Sequence, residues 1–139
     1  DDAIRGAYIT QRNSDHYGSL SPFMRAALLG GYTKEGKEWI DALMEFSGEN
    51  EKIVRDFFAE NFPKVHFCRH RAGTLLWADF REMGTEEEVY AWFQKAGVEP
   101  DLGSKYGEEG RGFLRLQIGM PKRELNYALE RIKKAYVKE

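Results

Sequence analysis

The segment GEEGRGFLRLQIGMP, Gly107–Pro121, places a permanent cation inside a short apolar run. If FLRLQI is extended, Phe113, Arg115 and Gln117 point to one face, and Leu114, Leu116 and Ile118 to the other. The leucine face suits a core, so Arg115 looks out from the opposite face between a ring and an amide. Two chemistries are open to it. It can pair with a structural carboxylate such as Asp79, or meet water. Alternatively its planar fork can hold a ligand carboxylate in bidentate fashion, an interaction that gains strength in a partly desolvated site. The glycines just upstream would let a ligand come close to the backbone.

Two other constellations have the residue types for chemistry. His66, Cys68 and His70 alternate in VHFCRH, and imidazole and thiolate ligands on one strand face can converge on zinc. No fourth ligand stands nearby, and a polar strand face is the plainer explanation. Asp15-His16 is a possible acid–base pair, but no serine or cysteine nucleophile motif accompanies it. The lysines, Lys105 near Arg115 among them, sit in ordinary helix or loop contexts.

The elements that must position these groups follow from periodicity. Residues 1–18 read as a short helical or extended piece followed by a loop, QRNSDHYGS. Ser21-Pro22 is a helix start, FMRAALL follows, and Gly30-Gly31 stops it. From Thr33, helical spacing of Trp39, Leu43, Phe46, Val54 and Phe57 predicts one long amphipathic helix to about Glu60. Gly48 and Asn50 are places where it could kink. VHFCRH and TLLWADF read as strands. Thr85 with Glu88 is a capping box opening a helix with Val89, Trp92, Phe93 and Ala96 on one side. The run Glu86–Glu88 reads as a helix N-terminus favoured by the dipole. VEPDL is weakly strand-like, FLRLQI is a strand, and Pro121 opens a last helix striped with Leu125, Leu129, Ile132 and Tyr136. The expected architecture is α+β, a small sheet covered by helices, with residues 1–48 helical and 49–139 forming the mixed domain.

Bulk properties narrow the function. The 139 residues are 42% hydrophobic and 32% charged, as suits a folded globular protein. A net charge of −2 gives no electrostatic footprint for nucleic acid. No apolar run approaches the ~20 residues of a membrane helix. The lone Cys68 cannot form an internal disulfide, which points to a reducing compartment, the cytoplasm. The chain starts DDAIRGAYIT without an initiator methionine, which raises the expectation that it is a piece of something longer.

The stretch GVEPDLGSKYGEEGRGFLRLQIGMPKRELNYALERI resembles the C-terminal end of fold-type-I pyridoxal-phosphate enzymes. It is most similar to the cystathionine β-lyase / C–S lyase branch of the class I/II aminotransferases. Gly97, Val98, Gly103, Ser104, Gly107, Gly110, Gly112, Phe113, Arg115, Leu116 and Pro121 carry the match. LLWADFR resembles a W-x-D-F-R strand of that branch, and GGYTKEGKEWIDALMEFSGEN its helix between large and small domains. Pro100-Asp101, Tyr106 and Gln117 depart from the usual residues beside the site, and the Gly73–Trp77 spacing is shorter.

The resemblance implies a small C-terminal domain preceded by a helical tail of the large domain. It implies pyridoxal phosphate as the parent enzyme's cofactor, an amino-acid substrate, a homodimeric parent, and Arg115 as the ligand of the substrate α-carboxylate. It also implies that the Schiff-base lysine lies upstream, in a large domain outside this sequence, so that the chain alone is inactive. A free-standing module that binds an amino acid or a protein, without catalysis, is the alternative. A small metal-binding protein built on His66, Cys68 and His70 is a further one.

Overall fold

The computed structural model describes residues 1–17 and 20–136, and the chain divides into two compact units, Asp1–Asp41 and Ala42–Glu139. In the first unit, α1 (Asp2–Ser14) starts at Asp1, whose carboxylate accepts a hydrogen bond from the Ala3 amide at 2.8 Å. The helix takes in Gln11–Ser14, which the sequence reading put in a loop; the last two residues of that loop, Gly18 and Ser19, lie outside the described residues. The second helix, α2 (Pro22–Gly31), begins as expected, with Ser21 Oγ accepting from the Met24 amide and Pro22 in the first turn. Thr33 then caps the next helix, its Oγ1 accepting from the Gly36 amide at 3.1 Å. Neither α1 nor α2 buries a residue, and Phe23, Leu29, Tyr32 and Trp39 are all exposed.

The third helix, α3 (Lys34–Asn61), is unbroken at Gly48 and Asn50. Asn50 has other work. It is fully buried, and its Nδ2 donates to the carbonyls of Ile118 at 2.7 Å and Met120 at 2.8 Å. Those bonds tie α3 to the turn that follows the last strand, so a residue that disfavours helix interiors is kept for its side-chain donors.

The second unit holds a sheet in the order β1-β2-β4-β3, built from His66–Phe67, Leu75–Asp79, Phe113–Gln117 and Asp101–Leu102, with every pairing antiparallel. The outer strands are short. Only His66 and Phe67 of VHFCRH are strand, and only Asp101 and Leu102 of VEPDL. The central pair is in full register, Leu76 opposite Leu116 and Ala78 opposite Leu114. Alternation then buries Leu76, Ala78, Phe80, Leu114 and Ile118 against one layer of helices. That layer comprises α3 through Val54 and Phe58, α4 (Glu86–Lys95) through Val89, Trp92 and Phe93, and α5 (Lys122–Ala135) through Leu125, Leu129 and Ile132. The centre is aromatic: Phe80 meets Phe58 and Phe93 edge-on, at 5.7 and 5.5 Å between centroids. Trp92 Nε1 donates to the Ile132 carbonyl at 2.8 Å, satisfying the one polar atom of a buried indole.

The α+β class, the covering helices and the capping box, with Thr85 and Glu88 each bonding the other's backbone amide, are as the sequence predicts.

Candidate carboxylate-binding face

Core burial of Leu114 turns its neighbours outward, so the face of β2 and β4 away from the helices carries Trp77, Asp79, Phe113 and Arg115. Trp77 stands directly across from Arg115, and its ring stacks on Phe113 with centroids 5.7 Å apart and planes 16° off parallel. Tyr106, from the loop before β4, meets Trp77 edge-on at 5.5 Å and lies 5.1 Å beneath the Arg115 guanidinium. An aromatic floor therefore runs under the cation and limits how water reaches it from that side. The Arg115 side chain is 33% exposed.

Arg115 does pair with a carboxylate, but not with Asp79. Its partner is Asp101, the residue opposite it on β3; Nε at 3.1 Å and Nη2 at 2.6 Å both donate to Asp101 Oδ2. Asp79 is taken by Arg81, two residues on, whose Nε and Nη2 span both carboxylate oxygens at 2.9 and 2.6 Å. The Arg81 guanidinium in turn lies over Phe113 at 4.7 Å. Each pair shifts its own members: the hydrogen bond from Arg115 holds Asp101 below the usual carboxylate range and raises Arg115 in return, and Arg81 does the same for Asp79. The Arg115 fork closes on one oxygen, and its Nη1 has no hydrogen-bond partner among the described residues. Lys105 Nζ stands 3.6 Å from the other Asp101 oxygen.

The glycine loop is shaped by Glu86, which opens α4 in an acidic first turn, as the sequence predicts, and also reaches across to this loop. Glu86 is only 5% exposed. Its carboxylate accepts from the Ser104 hydroxyl, from the Ser104 amide at 3.3 Å and from the Gly112 amide at 3.0 Å. Burial pushes this carboxyl up, and the bonds from Ser104 and Gly112 with the nearby Arg111 charge outweigh it, leaving it below its ordinary value. Gly103 and Gly110 pack backbone to backbone: a Cβ on Gly103 would sit 1.9 Å from the Gly110 carbonyl oxygen. These glycines let the loop close on itself beside β4. The only sequence signal for Glu86 was an acidic first turn facing a glycine loop many residues away.

The other candidates come apart. His70 Nδ1 is 2.6 Å from Glu51 Oε2, His66 faces Glu82 at 3.6 Å, and Cys68 is exposed. No group of possible metal ligands assembles among the described residues. Asp15 accepts from the Gln11 amide at 3.0 and 3.1 Å, and His16 has a positive φ of 56° in the turn after α1.

The chain superposes on a pyridoxal-phosphate-bound protein of Clostridium difficile 630 with a TM-score of 0.80 and 26% identity, over 97% of this chain and 35% of that one. It superposes on pyridoxal-phosphate-containing cystalysin from Treponema denticola with a TM-score of 0.75 and 28% identity, over 84% and 30% of the two chains. In sequence it is 35% identical over 129 residues to cystathionine beta-lyase PatB of Bacillus subtilis (strain 168), covering 90% of this chain and 32% of PatB. It is 31% identical over 127 residues to protein MalY of Escherichia coli (strain K12), covering 87% and 32%. No protein-family model matches the chain.

In sequence and in fold the chain thus resembles the C-terminal part of fold-type-I pyridoxal-phosphate-dependent C–S lyases and aminotransferases. It spans about a third of the length of the curated relatives it matches.

The residues around Arg115 fit a carboxylate and do not fit the cofactor's aldehyde. The nearby lysine, Lys105, has a side chain 58% exposed and leans toward Asp101.

Proposed function

We propose that this chain is the substrate-carboxylate-binding part of a pyridoxal-phosphate-dependent C–S lyase or aminotransferase acting on an amino acid. The observation that carries the reading is Arg115, centred on the outer face of the sheet with an aromatic floor beneath and an unfilled donor on its fork. A guanidinium held in this way grips a carboxylate by geometry as well as charge, and so fixes how the rest of an amino acid is presented. Arg115 is a binding and orienting residue; the bond-making groups and the cofactor's anchoring lysine belong to the large domain of the whole enzyme. The cofactor supplies the electron sink that weakens bonds at the α-carbon.

On this reading the chain alone turns over no amino acid, and the whole protein is a cytoplasmic homodimer. Among the described residues no helix is long and apolar enough to cross a membrane. The exposed apolar side chains of the first unit, Phe23, Leu29 and Trp39 among them, then belong to the large domain and its contacts.

The test is to express the complete reading frame that encodes this chain and to measure amino-acid turnover with pyridoxal phosphate, alongside the chain alone. The reading expects release of a keto acid by the complete protein and none by the chain alone. Turnover by the chain alone contradicts it, as does a complete protein with no cofactor-dependent activity.

A further inference from the structure

We infer that Asp101 is a resident competitor for the carboxylate site, with Lys105 as the cation that holds Asp101 when a ligand arrives. The inference rests on the reading of Arg115 as a carboxylate binder and adds a control to it. Asp101 presents the same chemical group as the ligand, and its Oδ2 takes both Nε and Nη2 of Arg115. Its Oδ1 faces Lys105 Nζ at 3.6 Å, so the carboxylate has a second cation within reach before it lets go of the first. The trio of Arg115, Lys105 and Asp101 carries a net single positive charge, which one incoming carboxylate neutralises.

The fit of Asp101 to Arg115 is incomplete in a way that favours exchange. Two donors converge on one oxygen, whereas Arg81 engages both oxygens of Asp79. An incoming carboxylate can meet the fork with two oxygens, a better match to a planar guanidinium. The pair is also about one-third exposed on each side, 33% and 38%, where ion pairs hold weakly and exchange readily. Asp101 thus screens Arg115 against stray anions and yields to a carboxylate that fits. Lys105 has the opposite effect, because without it a displaced Asp101 stays unpaired beside the ligand.

The experiment uses this chain labelled with nitrogen-15. The Arg115 Nε–Hε resonance, assigned by its loss in Arg115→Lys, is followed during acetate titration at constant ionic strength. The amide spectrum reports that each variant is folded. Asp101→Asn is expected to bind acetate about tenfold more tightly than the unaltered chain, because a like charge beside the site is gone. Lys105→Gln is expected to bind severalfold more weakly. If acetate shifts Arg115 in every variant but Asp101→Asn binds no tighter, the competitor role is overturned and the carboxylate-binding reading of Arg115 stands. If Lys105→Gln binds as well as the unaltered chain, the holding role of Lys105 is overturned. If acetate leaves Arg115 unmoved in folded protein of every kind, the binding reading fails and this inference with it.

Discussion

Arg115 and Asp101 face each other across the β4–β3 ladder, and two guanidinium donors of the first close on a single oxygen of the second. The geometry makes Arg115 at once a member of a structural ion pair and a site with capacity left over. An exposed pair of this kind adds little to stability. Replacing Arg115 by Lys in this chain is therefore expected to leave the urea midpoint of unfolding almost unchanged. A large loss of stability would show that the pair is structural before it is functional.

The Glu86 bonds predict the opposite. Replacing Glu86 by Ala leaves the Gly112 and Ser104 amides without their acceptor, and a buried unsatisfied donor costs about 1–3 kcal/mol. The midpoint of urea unfolding should fall accordingly. Glu86→Gln, which keeps an acceptor oxygen, should lose less.

The same carboxylate gives a pH dependence. Glu86 lies below its ordinary value in the folded chain, so the unfolded chain binds the extra proton and stability rises with pH. The contribution is complete above the unfolded value of roughly 4.3 and is lost as pH falls from there through the lower folded value. Urea unfolding between neutral pH and pH 3 should show the loss, with a shallower slope in Glu86→Gln.

Asn50 and Gly103 test the frame that holds the face. Asn50→Ala removes the donor to the Met120 carbonyl and should lower stability by about 1–3 kcal/mol in urea unfolding. Gly103→Ala drives a Cβ to within 1.9 Å of the Gly110 carbonyl oxygen, so the loop must open. The expected cost is about 1–3 kcal/mol, with Ser104 and Gly112 amides exchanging faster with solvent.

The orientation of Arg115 was legible in FLRLQI because side chains alternate strictly along a strand and only one set could be core. The helices were legible for the same kind of reason: Ser21-Pro22, Thr85 with Glu88, and Pro121 are local signals that need no tertiary information. The partner of Arg115 was not legible. Asp79 and Asp101 are both carboxylates on strand-like segments, and the choice depends on which strands pair and on Arg81 having already engaged Asp79. Glu86 does open a helix, as its acidic first turn indicates, but its bonds were not legible: the donors it accepts from belong to a loop far along the chain, and an acidic first turn looks the same whether it meets water or backbone amides. Asn50 looked like a helix breaker because its benefit, two carbonyls after β4, is equally remote.

The central claim is that Arg115 holds a substrate carboxylate, and the direct measurement is kcat/KM of the complete enzyme for an amino-acid substrate and for the primary amide of that substrate. With Arg115 intact the acid should be strongly preferred. In Arg115→Lys the value for the acid should fall by roughly 100-fold, as misplacement at a reacting centre does, while the value for the amide barely changes. Equal losses for acid and amide, or none for either, would contradict the assignment.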